Sequence, residues 1–81
     1  MKIRLRLFAG LKQRVGAEWL DVDLPNGATA ADVRGWLAQR YPEVEPIVRR
    51  ALLACHLDYV PDSFPLVDNQ EVACIPPVSG G

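Results

Sequence analysis

The sequence has few of the residues that build metal centres or disulfide frameworks. Its 81 residues include two cysteines, Cys55 and Cys74, and a single histidine, His56. No CxxC motif is present, and no histidine and cysteine stand at the spacing of a zinc site. Because these ligand patterns are absent, we expect no bound metal. A small secreted domain usually has more cysteines, so we also expect reduced thiols and a cytoplasmic location.

Neither sign of charge is in excess, and long apolar runs are absent from the sequence. Nine basic residues stand against ten acidic ones, which excludes a polycationic surface for nucleic acid or anionic lipid. The first residues alternate charged and apolar side chains, unlike a signal peptide, and no stretch approaches the roughly 20 apolar residues of a membrane span. We therefore expect neither nucleic-acid nor membrane partners.

What is present fits one small folded domain covering residues 1–81. Hydrophobic residues make up 49% of the chain and charged residues 23%, which argues against disorder. A chain of this length buries only roughly 60% of its unfolded surface, so its core is small. We expect a partner protein to supply most of the catalytic groups for any chemistry in which the chain takes part.

Alternating patterns predict strands near both ends of the chain. Residues 2–8 alternate strictly, and residues 18–24 alternate again, with Trp19 either exposed or a sign that the register is wrong by one. A buried strand is predicted over Leu52–Leu57, a very short one at 59–60, and a final strand over Glu71–Ile75.

Helical signals lie between these strands. Residues 9–15 are predicted to form one or two helical turns that end at Gly16. Thr29 with Asp32 predicts the capping box of a longer helix that stops near Tyr41.

Within the longer helix, Gly35 is interpreted as a site of close packing and Trp36 as a core residue. Residues 43–50 are interpreted as a connection with at most one further helical turn after Pro46.

This order of elements predicts an α+β domain with a mixed sheet and one main helix packed across it. The first and last strands are expected to lie parallel at the sheet centre.

Charge is distributed unevenly along the chain. Residues 1–17 carry five basic groups and no acid, whereas residues 51–81 carry four acids and no lysine or arginine. This asymmetry is consistent either with attraction between the outer faces of adjacent strands or with a polar rim around a partner's docking site.

The last six residues contain the clearest functional signal. Pro76 and Pro77 lack the N–H that a strand needs, so the final strand ends by Ile75 and the chain leaves the domain extended. Six extended residues reach roughly 20 Å. Because Gly80 and Gly81 have no Cβ, such a tip can enter a channel too narrow for side chains. Residues 76–81 are therefore a candidate tail for delivering a carboxyl group to another protein's active site.

The ending Glu-Val-Ala-Cys-Ile-Pro-Pro-Val-Ser-Gly-Gly, at residues 71–81, resembles that of the MoaD-type sulfur carriers. The resemblance extends over the whole chain, including Leu7-Phe8-Ala9 at the end of the first strand. It implies a β-grasp, or ubiquitin-like, fold and the role of a non-catalytic small subunit of molybdopterin synthase. His56 and Cys74 depart from the usual family pattern, which bears on partner specificity and leaves the tail untouched.

The resemblance also implies a chemistry and a set of partners. Gly81 is adenylated by a ubiquitin-activating-like adenylyltransferase that uses ATP and magnesium, and a sulfur donor protein converts it to a thiocarboxylate. The tail enters the large subunit, in a two-plus-two heterotetramer, and gives sulfur to cyclic pyranopterin monophosphate. This chain itself binds no cofactor. The residues assigned by this resemblance are Gly81 as the carrier, Pro76, Pro77, Val78, Ser79 and Gly80 as the entering tail, and Phe8, Tyr59 and Ile75 as the partner interface.

Other functions use the same features. A carrier for thiamine or another thio-cofactor has the same tail, and a ubiquitin-like modifier would join its terminus to lysines. A β-grasp interaction module with an incidental Gly-Gly ending would retain its function when Gly80 and Gly81 are deleted.

Overall fold

The computed structural model describes residues 1–77, which form five strands and three α-helices. The roles predicted for Val78, Ser79, Gly80 and Gly81 concern positions outside the described residues. In chain order the elements are β1 (Lys2–Leu7), α1 (Ala9–Val15), β2 (Trp19–Asp23), α2 (Ala30–Arg40), a 3₁₀ turn (Pro42–Val44), α3 (Glu45–Arg50), β3 (Leu52–Cys55), β4 (Asp58–Val60) and β5 (Gln70–Ile75).

The strands form one mixed sheet in the order β2-β1-β5-β3-β4. β1 and β5 are parallel, with Leu5 opposite Val72, and the other neighbouring pairs are antiparallel. The predicted α+β class and the predicted central parallel pair are therefore confirmed. Because β5 lies in the middle of the sheet, the chain leaves the domain from the centre and not from an edge.

The core lies between one face of the sheet and the helices. The apolar members of the β1 alternation, Ile3, Leu5 and Leu7, are fully buried, as are Val33 and Leu37 of α2. Burial of each such side chain contributes about 1.5–3 kcal/mol to stability, so the strict period of two in β1 determines which face packs against α2.

The predicted helix ends are confirmed. The backbone N–H of Thr29 donates to Asp32 Oδ2 at 2.7 Å, which completes the capping box of α2. Tyr41 follows the last residue of α2. Gly16 ends α1 with a φ of +84°, a left-handed conformation that glycine adopts without strain.

The two interpretations within α2 are wrong or incomplete. A Cβ added to Gly35 would meet nothing within 4 Å, so this glycine does not mark close packing. Trp36 is half-buried and packs against the edge of the core, with the Arg40 guanidinium 5.6 Å from its ring centroid. Helical spacing predicts that Trp36 faces the sheet, but it does not determine how far the sheet extends beneath it.

Replacing Gly35 with alanine is expected to stabilise the protein. Glycine in a helix interior costs about 1 kcal/mol relative to alanine, and here the added methyl group meets no neighbour. In a domain of this size, the gain corresponds to a rise of roughly 4–8 °C in the unfolding temperature, measurable by thermal denaturation. Gly16→Ala is the matched control and should destabilise, because φ is +84° there. No gain at Gly35 would contradict this account of α2.

Residues 43–50 are more helical than predicted. Pro46 lies in the first turn of α3, a position where its missing N–H costs nothing. The end of α3 is held by Arg34, which the sequence did not single out. Its Nη1 donates to the carbonyl oxygens of Val48 and Ala51 at 2.6 and 2.7 Å. Arg34 therefore joins α2 to the C-terminus of α3.

The strand predicted over Leu52–Leu57 ends at Cys55, so that prediction is wrong at its C-terminal end. His56 and Leu57 form the two-residue turn of the β3–β4 hairpin, with φ values of +52° and +68°. Such turns usually contain glycine or asparagine, and neither is present here to signal the turn. Leu57 is fully exposed at the hairpin tip.

Candidate docking face and tail exit

The tail begins where β5 stops pairing. Ile75 is the last residue of β5 and is opposite Leu52 of β3. Pro76 is half-buried and Pro77 is exposed, and neither can donate a further ladder hydrogen bond. The predicted end of the final strand is confirmed. The tail therefore begins beside the end of β1, where Leu7 is opposite Cys74.

The sheet face opposite the helices, which we call the open face, carries the outward-pointing side chains of the strands. The register aligns Ala73 of β5, Ala54 of β3 and Tyr59 of β4 in one row across it. Tyr59 is 66% exposed, and Ala73 is half-buried. Small residues at the centre leave the neighbouring apolar groups accessible.

Two grooves meet at the tail exit. The first, the face groove, runs over the open face and includes Tyr59 and Trp19. The second, the stem groove, runs between α1, α3 and the start of the tail and includes Ile47 and Pro77. Phe8 and Ile75 line both grooves and form the ridge between them.

The structure thus places the three predicted interface residues, Phe8, Tyr59 and Ile75, around one continuous surface beside the tail. Phe8 and Ile75 are half-buried. Large accessible apolar groups that lie together are typical of a protein–protein interface. Their contact with a partner remains a prediction.

Trp19 belongs to this surface, although the sequence left its position open. It is 38% exposed, and Arg4 and Arg6 place their guanidinium groups 4.6 and 5.2 Å from its ring centroid. The register of β2 is therefore as predicted, with Trp19 on the outside. Leu52, which pairs with Ile75, is 49% exposed, so the prediction of a buried strand is wrong at this residue. Leu52 is exposed because its side chain lies on the open face. A local sequence pattern does not reveal that no helix of residues 1–77 covers this face.

Ion pairs occupy the part of the open face near β1 and β2. Arg4 lies 3.6 Å from Glu71 on the neighbouring β5, and Arg6 lies 2.8 Å from Glu18. Hydrogen bonds from Arg6 and from Lys12 lower the pKa of the Glu18 carboxyl. Exposed pairs of this kind contribute little to stability. The Arg4–Glu71 contact is an example of the attraction between adjacent strands that the charge asymmetry suggested.

Both thiols are buried in the core, and the histidine is at the surface. Burial raises the pKa of the Cys74 thiol to about 11, and burial also raises that of Cys55, so both remain protonated at neutral pH. His56 is exposed in the β3–β4 turn. Within residues 1–77, no three His, Cys, Asp or Glu side chains are grouped so as to hold a metal ion. None of the helices in that range could span a membrane.

Comparison with known proteins gives consistent matches along the full chain. The model of the ThiS family matches residues 5–81. The sequence is 31% identical to the molybdopterin synthase sulfur carrier subunit of Arabidopsis thaliana, over 100% of this chain and 84% of that protein. It is also 31% identical to the protein of the same name from Dictyostelium discoideum, over 99% of this chain and 96% of that one.

Solved structures share the architecture. The crystal structure of SAMP1 from Haloferax volcanii has a TM-score of 0.86 at 24% identity, with 100% of each chain covered. A complex of subunits 1 and 2 of molybdopterin-converting factor from Helicobacter pylori gives a TM-score of 0.71 at 21% identity, again with 100% of each chain covered. A ubiquitin from Caldiarchaeum subterraneum gives 0.68 at 18% identity. These likenesses confirm the ubiquitin-like β-grasp fold.

Proposed function

The chain belongs to the ThiS family, and from this membership we propose that it is the sulfur carrier subunit of a molybdopterin synthase. The observation that carries the proposal is the ending Pro-Pro-Val-Ser-Gly-Gly, placed directly after a central strand that stops at Ile75. The shared name of the relatives that match the whole chain supports the same function.

The reactive group in this proposal is the carboxyl group of Gly81. A carboxylate is a poor electrophile, because its oxygen cannot leave as oxide. An adenylyltransferase of the ubiquitin-activating type joins it to the AMP moiety of ATP and releases pyrophosphate, with magnesium bound by that enzyme. A sulfur donor protein then supplies the sulfur that displaces AMP, and a terminal thiocarboxylate remains. The thiocarboxylate sulfur is the nucleophile of the next step, carried on a mobile protein.

The second stage takes place in the large subunit of the synthase. Residues 76–81 enter its active site, and the thiocarboxylate sulfur is transferred to cyclic pyranopterin monophosphate. Repeated delivery builds the dithiolene of molybdopterin. Enclosure of the tail gives the sulfur a high effective concentration beside its acceptor, which accounts for the small carrier's dependence on a partner. The expected assembly has two copies of each subunit.

The ridge and the part of the open face next to the tail exit supply the docking surface in this proposal. The ridge formed by Phe8 and Ile75 lies beside the origin of the tail, so a protein that encloses the tail also covers this ridge. Because the adenylyltransferase and the large subunit use the same tail, the two partners bind in turn.

The experiment that tests the function compares sulfur acceptors. The chain is first incubated with ATP, an adenylyltransferase and a sulfur source. The product is then offered, in separate reactions, to the synthase large subunit with cyclic pyranopterin monophosphate and to a thiazole-forming thiamine system. We expect molybdopterin in the first reaction and no thiazole in the second. Thiazole formation alone would assign the chain to thiamine synthesis, and isopeptide adducts on lysines would identify a modifier.

A further inference from the structure

The stem groove has an uneven distribution of charge. Its walls are apolar, with Phe8, Ile47 and Pro77 among them, and its charged residues within the described part of the chain are two arginines. Arg14 lies in the last turn of α1, and Arg50 lies in the last turn of α3. Among residues 1–77, no acidic side chain lines this groove.

Neighbouring cations on the same helices are already paired. Lys12 of α1 lies 3.4 Å from Glu18, and Arg49 of α3 lies 2.7 Å from Glu45. In contrast, no carboxylate of residues 1–77 lies within 4.0 Å of the side-chain nitrogens of Arg14 or Arg50. On both α1 and α3, therefore, the paired cation lies outside the groove and the arginine that lines the groove has no carboxylate partner among residues 1–77.

We propose that the stem groove receives an acidic segment of the protein that encloses the tail, with an apolar side chain inserted between carboxylates that pair with Arg14 and Arg50. The inference rests on the proposed carrier function, because it requires a partner that accepts the tail. It adds to that function a second contact, on the helical side of the tail, and a stated chemistry for the partner surface.

The position of the groove supports this occupant. Pro76 and Pro77, the first residues of the tail, form part of its wall, so a protein that surrounds the tail cannot leave the groove uncovered. Covering the groove withdraws both guanidinium groups from water, which is costly unless carboxylates replace the lost hydration. The same charges would attract an acidic surface during encounter and increase the association rate.

The test measures association of the full chain with the purified synthase large subunit from the same cells. Rates are recorded at about 0.05 M and about 0.5 M salt, where screening differs strongly. We expect Arg14→Glu and Arg50→Glu each to slow association about tenfold at the lower salt concentration, with a smaller difference at the higher one. Arg14→Gln and Arg50→Gln remove the charge without reversing it. They should slow association less than the glutamate variants do, and again more strongly at the lower salt concentration.

Lys2→Glu is the matched control. It changes the net charge by the same amount, but it lies at the start of β1, at the opposite end of that strand from Phe8. We expect its association rate to stay within about twofold of the wild-type rate, because the effect depends on local contacts. Thermal unfolding of each variant establishes that the compared proteins are folded.

Three results would overturn the inference while leaving the carrier function intact. These are unchanged association of the arginine variants, an equal loss in Lys2→Glu, or faster association without the arginines. The last result would mean that the arginines hold the chain's own terminal carboxylate. Absence of any binding by the wild-type chain would instead overturn the proposed function, and this inference with it.

Discussion

Removing Gly81, or adding one residue after it, is expected to abolish sulfur transfer and leave the unfolding temperature unchanged. Either change displaces the terminal carboxyl group by roughly 3.3–3.6 Å along an extended chain. A displacement of about 1 Å in an active site can already cost 10²-fold in rate, so the loss should be at least that large. Molybdopterin formation in the reconstituted synthase measures the rate, and thermal denaturation measures stability.

Ser79→Ala is the matched control for this prediction, since it alters the tail and keeps its length. We expect its rate to stay within a few-fold of the wild-type rate. Full activity of the lengthened chain would contradict a role for the Gly81 carboxyl group. It would favour an interaction module whose Gly-Gly ending has no function.

Phe8→Asp and Ile75→Asp are expected to weaken binding to the large subunit by roughly 30-fold or more, equivalent to about 2 kcal/mol. Both residues line the two grooves that meet at the tail exit, so a carboxylate at either position disrupts both. Phe8 also occupies the N-cap position of α1, where aspartate is a favoured residue. Its substitution should therefore affect binding more than folding. Titration calorimetry gives the affinity, and thermal denaturation gives the stability.

Ala31→Asp provides the control for these variants. It introduces the same carboxylate at an exposed apolar position in the first turn of α2, and Ala31 lines neither groove. We expect its affinity to change by less than about threefold. Unchanged affinity of Phe8→Asp and Ile75→Asp, or an equal loss in Ala31→Asp, would remove the ridge from the docking surface.

Strict local periodicity made much of the sheet predictable. The alternation of β1 identified its buried residues, because side chains on a strand point to opposite faces in turn. The Thr29 capping box was predictable for a similar reason, since it depends on residues three apart in sequence. The pairing of β1 with β5 followed from the order of elements, which left these strands to lie parallel at the centre.

Features that depend on distant residues were not predictable. The turn at His56 and Leu57 uses positive φ angles without a glycine or asparagine, so its sequence resembles a continuing strand. The role of Arg34 depends on carbonyl groups 14 and 17 residues away, which come within reach only when α2 packs against α3.

The candidate site divides in the same way. The sequence of residues 76–81 indicated a delivery tail, because prolines and glycines restrict or free the backbone wherever they occur. The stem groove was not predictable, since Arg14 and Arg50 lie 36 positions apart and line one groove only because α1 and α3 lie beside Pro76 and Pro77. Likewise, the exposure of Leu52 follows from the packing of the helices on the other face of the sheet, which its local sequence does not show.

The central claim, that this chain carries sulfur on its terminus, is tested most directly by the intact mass of the protein isolated from its native cells. The account predicts a fraction in which sulfur replaces one oxygen atom, with the change confined to the peptide that ends at Gly81. Because thiocarboxylates hydrolyse, the same measurement is repeated after incubation with ATP, the adenylyltransferase and a sulfur source. An unmodified mass in both samples would contradict the account.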